Sequence, residues 1–511
     1  MSSLDALANI LTDPTLLLLV LLGSASGVIL SSIPGMAGAA ALSLILPLTF
    51  NLGTTEALLV LVSAYTGLQF GGALTAIVVN IPGAPESAVM TLDGYALSRR
   101  GGTGRALWCA IFAGALGGLL ATVLLAAVAQ PLSREALRFG PSDYFALALL
   151  GLSALAALAS GSAAKATVMM FLGLLLGTVG PDSLTGEARF TFGRSFLAGG
   201  IVLIPMLVGL FAISEAIVLL QGKQSGQTPA RLRIIHSFPS LSDFKKIGTF
   251  GLLGTAVGTF VGIKPGGGGV IASLLAYRAA KAVSKDKESF GNGAIEGIIT
   301  PVASDKATVS SALVPLLMLG LPSTPSTAVL IGAFTLHNVV PGPLLLKQEP
   351  HLVYAIFGGL FIANILVMVV GVLVAPLVGR LGTMDRRKLG AAIIGVSVLT
   401  AYAAENSLND VWLAIFFGFV GYWLKRYSFP VAPLLLSFVL GPILESNLRR
   451  GLALAGNSPG SFLDHPITIA LLVVTAALIA GPALTSLARR HSARGKGMEH
   501  LRNNAKSSRG N

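Results

Sequence analysis

Long apolar runs recur along the whole chain, separated by short polar stretches. Thr15–Ser32, Ala106–Ala129, Phe196–Leu220, Leu352–Val378 and Pro466–Leu487 are examples. Each is close to the roughly 17–25 residues that a helix needs to cross the hydrocarbon core of a bilayer. The runs are apolar on every face, so they predict helices surrounded by lipid or by one another, not helices laid on a soluble core.

Composition points the same way. Of 511 residues, 53% are hydrophobic and 11% are charged, where a soluble domain carries about a quarter charged residues. The expected fold is therefore an all-α polytopic membrane protein. The 61 glycines suit helices that pack closely inside a membrane. Thr15–Ser32 has acidic flanks, so it reads as a retained span, not a cleaved signal. The single cysteine, Cys109, excludes an intrachain disulfide and paired thiol ligands, and reads as a small buried side chain.

Charge then orients the chain. Basic residues cluster at Arg99–Arg105, Lys223–Lys246, Arg278–Lys287, Arg386–Lys388 and Lys425–Arg426, and the positive-inside rule puts these loops in the cytoplasm. The first segment, with Asp5 and Asp13 and no Lys or Arg, belongs outside. The formal charge of +13 is no sign of nucleic-acid binding, because the tail from Arg489 onward holds seven Lys or Arg and one Glu. Residues 489–511 read as a disordered cytoplasmic tail near anionic headgroups. Threading the runs between the anchors gives about seven crossings before Lys223 and about eight after Lys246.

The chain also repeats itself. "SGVILSSIPGMAGAAALSLILPL" (Ser26–Leu48) aligns without gaps on "VGTFVGIKPGGGGVIASLLAYRA" (Val257–Ala279), with Pro34, Gly35 and Gly38 on Pro265, Gly266 and Gly269. "GALTAIVVNIPGAPESA" (Gly72–Ala88) then aligns on "SALVPLLMLGLPSTPSTA" (Ser311–Ala328), with Pro82 on Pro322 and Pro85 on Pro325. Two motifs in the same order, twice, mark an internal repeat. The odd crossing count makes it an inverted-topology repeat with discontinuous helices and re-entrant hairpins. The expected organisation is a first transmembrane half (1–221), a cytoplasmic linker (222–246), a second half with extra C-terminal spans (247–488) and the basic tail.

Pro-Gly breaks inside a membrane free backbone groups that lipid cannot satisfy, so such backbone must be buried or line a cavity. Secondary transporters place these breaks where their repeats meet, to bind substrate and coupling ions. Pro suits the first helical position, Gly allows close approach, and the following helix aims N–H groups and a positive dipole end at an anion. The helices expected to follow the breaks are Met36–Phe50 and Gly267–Ala282. Candidate substrate-binding residues are Ser32, Pro34, Gly35 and Gly38; Asn80, Pro82, Gly83 and Ser87; Lys264, Pro265, Gly266, Gly267 and Gly268; and Pro322, Ser323, Thr324, Ser326 and Thr327. The plainer alternative is that Gly and Pro are packing devices and the hydroxyls bond back to helix carbonyls.

Other classes find little support. There is no G-x-x-x-x-G-K-[ST] nucleotide loop and no H-E-x-x-H, so neither ATP-driven transport by this chain nor an intramembrane enzyme is expected. A channel would more naturally repeat a pore motif between subunits than carry an inverted repeat within one chain.

At these residues the chain resembles the large membrane subunit, TctA, of the tripartite tricarboxylate transporter family. The resemblance covers about residues 15–488. It rests on Ile33–Gly38, "GGALTAIVVNIPGAPESAVMTLDGY" (Gly71–Tyr95), "GTFVGIKPGGGG" (Gly258–Gly269), "GNGAIEGI" (Gly291–Ile298), "PGPLLL" (Pro341–Leu346), "NDVW" (Asn409–Trp412) and "RYSFPVAPLLLSFVLGPILESNLRR" (Arg426–Arg450). It implies a multi-pass permease of the bacterial inner membrane. Such a permease works with a small membrane subunit and a periplasmic solute-binding protein, and takes up organic carboxylates on a Na⁺ or H⁺ gradient without a further cofactor.

The chain departs from that pattern in its second half. Lys264 stands where the family usually has an aliphatic residue, Ser323 where it has Gly, and "PVASDKA" (Pro301–Ala307) where it has a run like P-E-S-A-N-N-A. Asp305, Lys306 and Thr308 are the coupling-ion candidates, since ionisable groups at membrane depth are functional by default; the alternative is that this stretch is a solvated loop. Lys264 is expected to face a substrate carboxylate or Asp305, or else to snorkel to an interface.

Overall fold

The computed structural model describes residues 3–33, 36, 38–136, 138–158, 162–182, 184–221, 238–264, 268–381, 385–454 and 465–477. The basic tail, most of the expected linker, and Pro34, Gly35, Pro265, Gly266 and Gly267 lie outside the described residues. The described residues are largely helical, as an all-α polytopic membrane protein should be.

The first half contains α1 (Ser3–Thr12), α2 (Pro14–Ser31), α3 (Gly38–Ile45), α4 (Thr54–Val79), α5 (Thr103–Ala136), α6 (Pro141–Leu158), α7 (Ala163–Leu176), α8 (Leu203–Leu207) and α9 (Ser214–Gln221). A two-stranded antiparallel hairpin, β1 (Gly180–Pro181) and β2 (Ala188–Arg189), lies between α7 and α8. The second half contains α10 (Leu241–Gly262), α11 (Gly269–Val283), α12 (Glu296–Leu319), α13 (Pro325–Leu336), α14 (Leu345–Gln348), α15 (Pro350–Leu381), α16 (Arg386–Glu405), α17 (Leu408–Arg426) and α18 (Val431–Leu454). Among the described residues eight helical runs are long and apolar enough to span a bilayer. That is fewer than the apolar runs suggest, because several runs form shorter helices such as Gly38–Thr49, Ala163–Leu176 and Pro325–Leu336.

Local signals set the helix ends. Asp13 caps α2 by accepting the N–H groups of Thr15 (2.8 Å) and Leu16 (3.4 Å), with Pro14 at the first position. Ser240 and Asp243 form a capping box at the start of α10. Arg105 holds Asp243 with two contacts, Nε to Oδ2 at 2.9 Å and Nη2 to Oδ1 at 2.6 Å, and so ties α5 to α10. Lys246 pairs with Glu296 at 2.8 Å, tying α10 to α12.

Packing repeats between the halves. Lipid supplies no hydrophobic drive between helices, so close contact over small residues must hold them. A methyl on Gly23 or Gly27 of α2 would strike the carbonyls of Val60 and Ala64 on α4. A methyl on Gly254 or Gly258 of α10 would strike the carbonyls of Thr300 and Ser304 on α12. These are the same four positions in the two copies of the repeat. Gly71 on Ser31, and Gly262 on Ser311, form another equivalent pair. α4 and α12, wrapped by these partners, are buried for nearly their whole length.

Candidate functional site

α4 and α12 both stop in the left-handed conformation, at Asn80 (φ 57°) and Gly320 (φ 70°), which are repeat equivalents. The hairpin turns that follow are closed by equivalent hydroxyls. Ser87 Oγ donates to the Ala84 carbonyl at 2.8 Å and accepts the Ala84 N–H at 3.3 Å. Thr327 Oγ1 donates to the Thr324 carbonyl at 2.8 Å and accepts the N–H groups of Thr324 (2.8 Å) and Ser323 (2.9 Å). Thr324 in turn caps α13 by accepting the Thr327 N–H at 3.1 Å.

The two short helices after the Pro-Gly breaks begin at Gly38 and Gly269, two residues later than the sequence suggests, again at equivalent positions. Each meets the hairpin of the other half. A methyl on Gly38 would stand 3.0 Å from Ser326 Oγ on α13. A methyl on Gly269 would stand 2.5 Å from Glu86 Cγ and 2.8 Å from Asp305 Oδ1. Glu86 is the repeat equivalent of Ser326, so the two contacts are reciprocal. Contacts in which i meets j and j meets i are those of a two-fold relation.

Between these contacts sit the charged pair of α12. Asp305 is 1% exposed and Lys306 2% exposed, so the solvated-loop alternative is set aside. Successive helical residues point about 100° apart, and the pair diverges accordingly. Lys306 Nζ donates to the Thr66 carbonyl on α4 at 2.8 Å, and its stem lies beside Gly114 of α5. Asp305 Oδ1 has no hydrogen-bond partner, and neither do the buried Oγ atoms of Ser304, Ser323, Ser273 and Ser31. A buried polar group without a partner costs about 1–3 kcal/mol, so Asp305 Oδ1, next to the unpartnered Ser304 hydroxyl in sequence, is a candidate ligand contact. Tyr65, 1% exposed on α4, sets its hydroxyl against Thr324 near Glu86 and Asp305.

The remaining candidates divide. Ser32 Oγ bonds back to the Val28 carbonyl at 2.7 Å, and Thr308 Oγ1 to the carbonyls of Ser304 (2.8 Å) and Gly258 (3.2 Å), which are structural roles. Asn80 is an exposed helix cap. Gly83 packs under the Ser31 carbonyl, while Pro82 is half-buried and Pro322 buried beside the turns. Gly268, with φ 51°, leads into α11. Lys264 is exposed, with its ammonium 3.8 Å from the centroid of the Phe260 ring. Its ammonium is thus directed to the Phe260 ring, and the aromatic face and its own stem stabilise it there, as the snorkelling alternative has it.

Sequence reasoning passed over Tyr65, Thr66, Glu86, Ser273 and Ser304. The repeat would have found three of them, since Tyr65 is equivalent to Asp305, Thr66 to Lys306 and Glu86 to Ser326.

Other motifs are structural. Asp93 of "TLDGY" accepts the N–H groups of Gly291 (2.8 Å), Gly293 (2.8 Å) and Ala294 (2.9 Å) and the Tyr277 hydroxyl (2.9 Å), fixing the "GNGAIEGI" turn at the start of α12. Gly342 of "PGPLLL" donates to the Leu317 carbonyl at 3.2 Å, near the broken end of α12. Arg189 of the β-hairpin grips Glu445 of α18 with two contacts, at 2.6 and 3.1 Å, and Arg449 reaches Asp182 at 2.5 Å. The N–H groups of Thr185 and Leu184, then Arg449, hold the Asp182 carboxyl well below the usual carboxylate range.

A family model described as the tripartite tricarboxylate transporter TctA family matches residues 17–436. The chain is 39% identical, over 92% of each chain, to an uncharacterized 52.8 kDa protein in the TAR-I ttuC' 3' region of Agrobacterium vitis. It is 37% identical over 218 residues to an uncharacterized protein in the TAR-II ttuC' 3' region of the same organism, covering 42% of this chain and 89% of that one. No solved structure matches.

Proposed function

The chain belongs to the tripartite tricarboxylate transporter TctA family, a multi-pass membrane subunit, and on that premise we propose that it is the large permease of an ion-gradient-driven uptake system for tri- or dicarboxylates or related organic acids. The system includes a small membrane subunit and a periplasmic binding protein, and it works in the bacterial inner membrane. The two halves are inverted, with the basic loops inside, and they alternate access around the place where their broken segments meet.

The observation that carries this reading is the reciprocal contact of Gly38 with Ser326 and of Gly269 with Glu86 and Asp305. Four discontinuous elements, two from each half, converge on buried and unpartnered oxygens. For an anionic substrate the fitting side is the neutral one. There the start of α3 at Gly38 adjoins Ser326, and the buried Ser323 belongs to the same hairpin. N–H groups and the dipole of a helix start stabilise a carboxylate, hydroxyls fix its orientation, and the Lys306 ammonium offers a fixed positive charge nearby.

Proteoliposomes containing the chain, its small membrane partner and the binding protein test this with labelled di- and tricarboxylates. Uptake should require an imposed Na⁺ or H⁺ gradient, be independent of ATP, and need all three proteins. Full-rate uptake by this chain alone, or a gradient-independent flux at channel rates, overturns the reading.

A further inference from the structure

We propose that Glu86 and Asp305 hold one proton between them over Gly269, and that this proton is the ion that moves with the substrate. The inference rests on the reading of the chain as a gradient-driven transporter and names its coupling ion.

The geometry leaves the pair little choice. Glu86 Cγ and Asp305 Oδ1 crowd the same α-carbon, since a methyl on Gly269 would touch both. Asp305 is 99% buried by its 1% exposure, and its Oδ1 has no partner. Two acidic side chains brought against one glycine, Asp305 buried and Glu86 half-buried, repel when both are ionised and so titrate as a unit that favours one shared proton.

The groups facing the pair do not supply enough positive charge to change this. α4 contributes the buried phenol of Tyr65. α12 contributes Lys306, whose ammonium is directed to the Thr66 carbonyl. α11 contributes Ser273 beside Gly269, and α13 contributes Thr324 and Ser326. α10 meets α12 through Gly258 and Gly262, and α5 through Gly114. Lys264 is directed to the exposed Phe260 ring. Two acids therefore face one ammonium, and a single proton balances the site. That same ammonium, one residue along the helix from Asp305, repels a metal cation that would otherwise compete for the carboxylates.

The repeat supplies a second, independent reason. The mate of the Gly269–Glu86 contact is Gly38–Ser326, where a hydroxyl stands in place of the acid. The two-fold-related pockets have thus diverged, one acidic and one hydroxyl-lined. An acidic pocket suits a proton and a neutral one a carboxylate, so one proton site accompanies one anion site. In the step itself an O–H bond forms between a carboxylate oxygen of the pair and a proton from the outer aqueous phase. The same bond breaks when the site opens inward, returning the proton to cytoplasmic water, with no redox change.

Infrared spectroscopy of the purified full chain in lipid vesicles at neutral pH tests the proton directly, without any substrate. The expected result is a protonated carboxylic-acid band, shifted in D₂O, that disappears in Glu86→Gln and in Asp305→Asn, because the remaining acid then ionises beside Lys306. Helical content by circular dichroism controls for folding. If the variants misfold, titration of the wild-type band with pH still decides, since its absence at neutral pH overturns the proposal. A band that persists in both variants places the proton elsewhere and also overturns it. In reconstituted uptake, a pH gradient alone should drive accumulation and a sodium gradient alone should not. Failure to take up any carboxylate while the band behaves as stated would count against the transport reading, not against the proton site.

Discussion

Lys306 donates a 2.8 Å hydrogen bond to the backbone carbonyl of Thr66, and the two residues occupy the same place in the two copies of the repeat. A residue that touches its own counterpart lies on the axis relating the copies. The chain has therefore put a buried ammonium where equivalent segments of the repeat meet, with a backbone carbonyl and not a carboxylate as its hydrogen-bond partner. A lone charge at membrane depth costs about 2.5–3.5 kcal/mol on insertion scales, which is hard to account for by folding alone.

Lys306→Met separates the two roles. Replacing a buried ion by an apolar side chain of similar length is often neutral or stabilising by ~1–4 kcal/mol, so the midpoint of thermal unfolding should hold or rise. Uptake should nevertheless fall by about tenfold or more, equivalent to ~1.4 kcal/mol of lost anion stabilisation. A parallel loss of stability and uptake would make Lys306 structural.

Gly269→Ala and Gly38→Ala should differ in kind. The first methyl meets Glu86 and Asp305 and should alter how uptake depends on pH. The second meets only Ser326 Oγ, at 3.0 Å, and should weaken apparent substrate affinity with the pH profile unchanged. Uptake measured against substrate concentration at several pH values distinguishes them.

Lys264→Met should keep uptake near wild type. The lysine is exposed, and its contact with Phe260 is worth about 0.5–1 kcal/mol. A marked loss of affinity would show that the outer end of α10 takes part in binding.

Gly258→Val and Gly27→Val are expected to unfold the packing of α10 on α12 and of α2 on α4. In each the added side chain meets helix backbone, which cannot rotate away, so the penalty should reach or exceed the ~1–3 kcal/mol of ordinary overpacking. Thermal unfolding in detergent gives the measure, and equal losses in the two variants would reflect the equivalence of the two sites.

The Asp182 network predicts a pH effect outside the membrane. Its carboxyl is held below its ordinary value in the fold, so its contribution is fully present above the ordinary carboxylate value of about 3.9 and is lost as pH falls through the depressed one. Unfolding temperature should therefore decline on acidification in the wild type and less in Asp182→Asn.

Much of this was legible in the sequence, for physical reasons. Most long apolar runs form helices, though several are too short to span, and a Pro-Gly break at membrane depth must be buried or line a cavity, so the meeting of the segments at Gly38, Gly269 and the two hairpins followed from the repeat. What was hidden was partnership. Tyr65 and Thr66 lie inside an apolar run with no local signal, and Glu86 looks like an ordinary polar residue of a turn until Gly269 is seen against it. For Lys264 the motif marks a lysine beside a Pro-Gly break but not the direction of its side chain, which lies over the Phe260 ring. Ser32 and Thr308 likewise spend their hydroxyls on carbonyls one turn back.

The central claim is that two inverted halves meet at the site, and the sidedness of equivalent helix ends tests it most directly. Leu48, 73% exposed just after α3, and Val283, 63% exposed at the end of α11, close the corresponding segments. Leu48→Cys and Val283→Cys, with Cys109 buried and silent, should react with a membrane-impermeant thiol reagent from opposite faces. Leu48→Cys should label in intact cells and Val283→Cys only in inverted membrane vesicles. Labelling of both from the same face would contradict the inverted arrangement and with it this account of the site.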